Sequence, residues 1–193
     1  MKKILVVGIC WLASTVAMAG FECAYSPLQI RISKARSRDD IQVWIDKGVT
    51  IEEDVKCGGS LLQLAIRRGV PGVLDAILDQ DPQRANNIEN LDAFPIPGVT
   101  GQIPVLLFAA YYAPNKEIVQ SLLDAGADIA ATDNEGRNVL WYMQFNPVLK
   151  NTSLYDSLNN KILESLAKRS MPSVGGTARV IKKRSDSLIN QED

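Results

Sequence analysis

The chain of 193 residues contains no histidine. Histidine is the commonest general base, the commonest metal-binding side chain and the usual activator of serine and cysteine nucleophiles. Its absence removes those routes to catalysis, although carboxylate, lysine and tyrosine chemistry stays open. The composition therefore favours a protein that is not an enzyme and that holds no metal or cofactor.

The chain also lacks an excess of either charge, since 21 lysines and arginines balance 22 aspartates and glutamates. A near-neutral chain gives no electrostatic reason to bind nucleic acid or an anionic membrane surface. Apolar residues make up 46% of the chain, which is ordinary for a globular protein. The length suits one domain with a core of its own.

The N-terminus has the pattern of a secretory leader. Lys2 and Lys3 precede the apolar stretch 4–16, and small residues at Ala17 and Ala19 suit signal peptidase. The alternative is a membrane anchor, but the apolar stretch is short for ~30 Å of hydrocarbon. We expect a signal peptide over 1–19, cleavage after Ala19, a periplasmic location, and no stable membrane insertion afterwards.

Cysteine is scarce, and Cys10 leaves with the leader. Cys23 and Cys57 remain, in a compartment that oxidises thiols. Two cysteines without histidine cannot supply the four ligands of a structural zinc site. The two residues either form a disulfide or stay as separate thiols.

A specific pattern lies in the middle of the chain. Residues 101–109 have the sequence Gly-Gln-Ile-Pro-Val-Leu-Leu-Phe-Ala, and residues 122–129 have Leu-Leu-Asp-Ala-Gly-Ala-Asp-Ile. Together they resemble the ankyrin repeat, in which a Thr-Pro-Leu-His turn opens a first helix and Gly-Ala-Asp follows a second. The resemblance implies an all-α fold, a solenoid of helix-turn-helix repeats with short β-turn fingers.

The pattern recurs along the chain. Leu28, Leu62, Val105 and Leu140 occupy equivalent positions, spaced 34, 43 and 35 residues apart. The long spacing indicates an insertion over 84–100. The predicted domain spans 20–168, with repeats near 24–50, 57–82, 100–130 and 133–168, and a flexible tail covers 169–193. The family's turn histidine is replaced by Gln29, Gln63, Leu106 and Trp141.

Helix boundaries support the repeat independently. Asp39 is expected to cap a short helix, and Gly48 and Gly126 stand where a left-handed residue would end one. Single helix pairs bury too little apolar surface to be stable alone, so repeats must stack. Cys23 and Cys57 precede equivalent turns, and we expect a disulfide that holds the first repeat on the second.

Carboxylates such as Glu52, Glu53, Asp54, Asp79 and Asp81 are expected to be solvated turn residues, and no catalytic residue is predicted. Ankyrin proteins bind partners through their fingers and inner helices, which implies a protein-binding surface here. Tyrosine, tryptophan and arginine often carry interface energy. The predicted contacts are Arg67, Arg68, Gln102, Leu107, Tyr111, Tyr112, Asn134, Glu135, Arg137, Tyr142 and Phe145. For Trp141 and Phe145, packing between repeats is an equal alternative.

The insertion adds two further predicted contacts, Phe94 and Ile96. Both stand among prolines in the sequence Phe-Pro-Ile-Pro-Gly, which predicts a stiff loop that projects into a partner's cleft.

A leader followed by a few ankyrin repeats resembles bacterial self-protection proteins. The resemblance implies a periplasmic protein that sequesters and inhibits a toxic secreted hydrolase, with a cell-wall endopeptidase of the penicillin-binding-protein type favoured. The alternatives are immunity to a type VI phospholipase effector, support of an antioxidant enzyme such as catalase, or a carboxylate-based hydrolase.

Overall fold

The computed structural model describes residues 26–48 and 58–170. The predicted leader, both cysteines of the predicted disulfide and the tail beyond residue 170 lie outside the described residues. None of the helices in the described ranges is long and apolar enough to span a membrane.

The described residues are mostly helical, in agreement with the expected all-α class, and two short strands form a small sheet. In chain order the elements are α1 (Pro27–Lys34), α2 (Asp39–Ile45), α3 (Leu61–Arg68), α4 (Pro71–Leu78), a 3-10 helix (Pro82–Asn86), β1 (Ile88–Asn90), β2 (Gln102–Pro104), α5 (Val105–Tyr112), α6 (Lys116–Asp124), α7 (Val139–Met143) and α8 (Ser153–Ser170). The strands pair antiparallel, with Ile88 opposite Pro104.

The helices contact one another in two rows. The first row consists of α1, α3, α5 and α7, each in contact with the next, and the second row consists of α2, α4 and α6. The long helix α8 packs against α7. The core lies between the rows, where Leu62, Ile66, Leu74 and Phe108 are fully buried.

The first two helices of the first row begin in the same way. Ser26 and Ser60 each cap their helix in a reciprocal capping box with Gln29 and Gln63. Each glutamine also donates a hydrogen bond to a carbonyl later in the chain. Nε2 of Gln29 donates to the carbonyl of Gly59 (3.0 Å), and Nε2 of Gln63 donates to that of Asn90 (2.6 Å). Gln29 and Gln63 thus brace the two turns through equivalent side-chain bonds.

The carbonyls just after α1, α3 and α5 also accept hydrogen bonds from side chains further along the chain. Nε of Arg68 donates to the carbonyl of Ala35 (2.7 Å), and Nδ2 of Asn115 to that of Gly69 (2.8 Å). Asn146, which is buried, donates in the same way to the carbonyl of Ala113 (2.9 Å). Each bond satisfies a carbonyl that a helix end leaves without an intrahelical donor.

The helix register corrects one predicted equivalence. Helices α1, α3 and α5 are each eight residues long and begin after Ser26, Ser60 and Pro104. Leu106, and not Val105, is therefore the equivalent of Leu28 and Leu62. The backbone N–H of Val105 donates to the carbonyl of Asn87, which prolongs the β1–β2 pairing and makes α5 begin one residue later than expected.

The predicted cap at Asp39 is wrong. Asp39 is the first residue of α2, and the cap residue Arg38 makes no side-chain capping bond. The carboxylate of Asp40 instead accepts hydrogen bonds from the backbone N–H groups of Arg36 and Ser37 ahead of the helix. The expected left-handed conformations of Gly48 (φ 78°) and Gly126 (φ 94°) are confirmed.

Candidate binding surface

A groove with a basic rim lies across the first row, between α1 and α3. Its volume is about 560 Å³. Its apolar floor consists of Ile30, Leu64 and Phe94, and Lys34, Arg67 and Arg68 bring three positive charges to it; Gln29 and Ser33 complete the lining. We call this feature the basic groove.

Equivalent helix positions build the basic groove. Ile30 and Leu64 are the fourth residues of α1 and α3, and Lys34 and Arg68 are the last. Residues four apart lie on one face of a helix, so both helices turn the same positions toward the groove. Arg67 stands one residue before Arg68 in α3, and it is exposed to solvent.

The two arginines are held by different contacts. Cζ of Arg67 lies 4.2 Å from the centroid of the Phe94 ring and 5.4 Å from that of Tyr112, so the guanidinium stacks on two aromatic faces. Arg68 is anchored through Nε to the carbonyl of Ala35. Within residues 26–48 and 58–170, neither arginine nor Lys34 forms an ion pair with a carboxylate. The groove therefore has a net positive charge.

The insertion does not project, which corrects the prediction for its loop. Leu91, Ile96 and Val99 are buried, and Ile96 is only 2% exposed, so Ile96 is not a contact for a partner. The hydroxyl of Tyr112 donates to the carbonyl of Pro95 (2.6 Å). The apolar side chains of the insertion thus pack inside the protein. Burying one such side chain contributes roughly 1.5–3 kcal/mol to the stability of the fold.

Phe94, at the tip of the insertion, forms a wall of the basic groove. Its ring lies 6.1 Å from that of Phe108 and 6.3 Å from that of Tyr112, measured between centroids. The ring also covers Gly59, where an added Cβ would lie 2.4 Å from Cε2 of Phe94. Phe94 thus lines the candidate surface as part of a packed wall, not as the tip of a projecting loop.

The second half of the first row exposes an aromatic patch, which consists of Arg137, Trp141 and Phe145. The rings of Trp141 and Phe145 lie 4.7 Å apart, and Cζ of Arg137 lies 4.5 Å from the centroid of Trp141. Phe145 is 54% exposed, whereas Trp141 is half-buried against the core. Packing in the protein and exposure to a partner were the two alternatives for these residues. Trp141 packs in part, whereas Phe145 lies mainly at the surface.

Two predicted contacts are buried, and the prediction is corrected for both. Leu107 and Tyr142 are each 0% exposed. Leu107 follows Leu106 in the corrected register and packs into the core, so it occupies a different position from Leu64. Tyr142 turns its hydroxyl inward to Asp133. The half-buried Tyr111 and Tyr112 pack edge to face, with ring centroids 4.9 Å apart.

The finger ahead of α7 is the turn 133–137, and the buried carboxylate of Asp133 holds it together. Asp133 is 8% exposed and accepts hydrogen bonds from the hydroxyl of Tyr142 (2.6 Å), from Nε of Arg137 (2.5 Å) and from the N–H groups of Glu135 and Arg137. Burial opposes ionisation of Asp133, but these donors outweigh it and lower its pKa. Burial, with the bond to Asp133, raises the pKa of Tyr142.

Two of the predicted finger contacts, Glu135 and Arg137, take part in the hydrogen bonds around Asp133. Arg137 donates to Glu135 and, through Nη1, to the carbonyl of Gly98 (2.9 Å), so it ties the finger to the insertion. This corrects the expectation of a free contact at Arg137, whose side chain is only 16% exposed. Gln102 and Asn134 are exposed, as is Glu135.

The sequence prediction missed Lys34, although it identified Arg67 and Arg68. The signal was present, because Lys34 and Arg68 both end helices of eight residues that start in identical capping boxes. Across the described ranges, no three histidine, cysteine, aspartate or glutamate side chains lie close enough together to share a metal ion.

Comparison with known protein families finds no match to this chain, and comparison with curated proteins finds no significant relative.

Proposed function

We propose that this chain is a non-catalytic binding protein of the ankyrin-repeat type, which docks onto another protein through its first row of helices. The observation that carries the proposal is the basic groove, where three cations without an ion pair to any described residue surround an apolar floor. The exposed apolar floor gains free energy when a partner covers it, and arginine and aromatic side chains are common anchors of interfaces.

The position of the aromatic patch supports the same surface. Phe145 is the seventh residue after the cap Asn138, as Arg67 is after Ser60. Arg67 lies within α3, and Phe145 follows the end of α7, two helices further along the first row. A partner that covers both would contact several helices, as stable interfaces of about 800 Å² per protein require.

The proposed partner is a secreted hydrolase, and the proposed role is self-protection of the producing cell. The predicted leader would bring the chain to the periplasm, and the resemblance to bacterial self-protection proteins favours a cell-wall endopeptidase of the penicillin-binding-protein type. Inhibition would be steric, because a partner held across the groove and the patch has its own cleft covered. No residue of this chain has to react.

The test is capture of periplasmic proteins by the mature chain, residues 20–193, followed by activity assays of the captured protein. The assays use peptidoglycan, phospholipid and hydrogen peroxide as substrates, which separates the endopeptidase, phospholipase and catalase alternatives. The mature chain should inhibit a captured hydrolase at a stoichiometric ratio.

Matched variants locate the binding surface. Lys34→Glu combined with Arg67→Glu should abolish capture, whereas Lys161→Glu on the exposed side of α8 should not. The combination of Phe145→Ala with Arg67→Glu tests the basic groove and the aromatic patch together. If both double variants capture the partner as well as the wild type does, the first row is not the binding surface. Turnover of any substrate by the purified chain alone would contradict a non-catalytic function.

A further inference from the structure

The basic groove combines charge of one sign with an apolar floor, and this combination restricts what can occupy it. Among the residues that the structure describes, none that lines the groove is acidic. We infer that the basic groove binds an extended acidic segment of a partner protein, in which an apolar side chain stands between carboxylates. This inference rests on the proposed function and specifies the chemistry of the partner.

The donors of the groove arginines are placed for carboxylates. Cζ of Arg67 lies over the rings of Phe94 and Tyr112, which restrain the guanidinium, and none of the ion pairs among the described residues uses its N–H groups. Arg68 uses Nε for the carbonyl of Ala35, which fixes the side chain and leaves its Nη groups available. A fixed guanidinium binds a carboxylate with little further loss of conformational entropy, and can do so with two parallel hydrogen bonds.

The floor requires an apolar group between the charges. Ile30 is 44% exposed, and Leu64 and Phe94 are half-buried beside it. A volume of about 560 Å³ admits a few side chains but not a folded element. An extended segment fits such a groove, because alternate side chains of a strand point to opposite sides.

Position in the fold favours carboxylates over phosphates. Lys34 and Arg68 stand at the C-terminal ends of α1 and α3, where the helix dipole is negative and the terminal backbone groups are carbonyls instead of N–H groups. Phosphate sites usually lie at the opposite end, where several N–H groups meet the anion. The groove cations offset the dipole and suit single negative charges better than a phosphate.

The insertion determines the width of the groove. Phe94 is held between Arg67 and Tyr112, and Tyr112 is bonded to Pro95. Replacing Phe94 by alanine should open this wall while the rim charges remain. Affinity for the apolar side chain should then fall, and the preference for acidic residues should persist.

The experiment exposes the full mature chain to a random hexapeptide library and sequences the bound pool. The expected result is enrichment of aspartate and glutamate around leucine, isoleucine or phenylalanine, with loss of that enrichment in the Lys34→Glu, Arg67→Glu variant. The affinity for an enriched peptide, measured by fluorescence anisotropy, should fall about tenfold or more, as expected when two charge pairs are reversed. Lys161→Glu should change it less than about twofold.

The single Lys34→Glu variant guards against misfolding, because the described residues show no hydrogen bond or ion pair of Lys34 that the change would remove. Circular dichroism and thermal unfolding should match the wild type. An unaltered affinity in this variant and in the double variant would overturn the inference. A bound pool with no acidic preference would overturn it too, as would displacement of the peptide by low-millimolar inorganic phosphate.

The outcomes separate this inference from the proposed function. If the mature chain captures and inhibits a hydrolase while the library shows no acidic preference, the inference fails and the binding function stands. If the acidic preference is found but no periplasmic protein is captured, the proposed function fails and the chemistry of the groove stands.

Discussion

Asp133 shows how this protein keeps a carboxylate inside the fold. Two side chains and two backbone N–H groups donate to it, and one of them, the hydroxyl of Tyr142, is itself buried. A buried carboxylate is stable only when its oxygens are satisfied in this way. The same bonds hold the finger against α7, so the ionised form of Asp133 stabilises the fold around the aromatic patch.

Stability should therefore fall in acid. The folded pKa of Asp133 is lowered, from an unfolded value of about 3.9. The stabilisation by this group is present above the unfolded pKa and is lost as pH falls through the folded pKa. Asp133→Asn should cost roughly 1–3 kcal/mol at pH 7 and flatten the pH dependence below about pH 4. Urea unfolding at pH 7, 5 and 3 measures both effects.

The exposed Asp156 of α8 offers the control, since Asp156→Asn removes the same charge without a buried network. Its unfolding free energies should follow those of the wild type at each pH. Parallel pH profiles for Asp133→Asn and the wild type would show that the carboxylate is not the acid-sensitive group.

At the scale of an element, the end of α3 depends on a glycine. Gly69 caps the helix in the left-handed region (φ 72°), and a Cβ there would lie 2.2 Å from Cγ of Pro114. Pro114 precedes Asn115, which is bonded to the carbonyl of Gly69. The close approach of α3 to the α5–α6 connection therefore requires the absence of a side chain at this residue.

Gly69→Ala should be destabilising for two separable reasons. The left-handed conformation costs roughly 1–2 kcal/mol for a residue with a Cβ, and the contact with Pro114 adds roughly 1–3 kcal/mol. Gly136→Ala is the matched control, because Gly136 has a similar φ of 77° and nothing within 4 Å of an added Cβ. Urea unfolding should show a clearly larger loss for Gly69→Ala. Equal losses of unfolding free energy in the two variants would mean that Pro114 moves away from the added Cβ without an energetic cost.

The predictions from sequence succeeded where a local pattern decides the structure. The resemblance to the ankyrin pattern predicted the helical class, and glycine placement predicted the left-handed residues Gly48 and Gly126. The equivalence of Val105 was wrong by one residue because the start of α5 depends on strand pairing between β1 and β2, which joins residues inside the insertion to residues after it.

The surface was harder to predict, because burial depends on what an apolar residue meets after folding. Ile96 and Tyr142 look like exposed anchors in the sequence, yet one packs into the core and the other donates to Asp133. Phe94, Arg67 and Arg68 were predicted as contacts from different parts of the chain, and their meeting in one groove depends on the fold of the insertion.

At the scale of the whole molecule, the two rows make each helix depend on its neighbours along the stack. In the first row, α5 contacts both α3 and α7, whereas α1 contacts only α3 within that row among the described residues. In the repeat stack proposed here, stability would be the sum of local terms and nearest-neighbour interfaces. Central and terminal helices should therefore respond differently to loss of core contacts.

Ile32 and Phe108 allow a direct test, since both are fully buried, one in α1 and the other in α5. Ile32→Ala should cost roughly 2–5 kcal/mol and Phe108→Ala roughly 3–5 kcal/mol. Hydrogen exchange should show Ile32→Ala accelerating amide exchange mainly in residues 27–45, with 105–143 little changed. Phe108→Ala should accelerate exchange on both sides of α5, because two interfaces lose contacts at once. Uniform acceleration along the chain in the Ile32→Ala variant would contradict a stack held together by neighbour contacts and would instead indicate a single cooperative core.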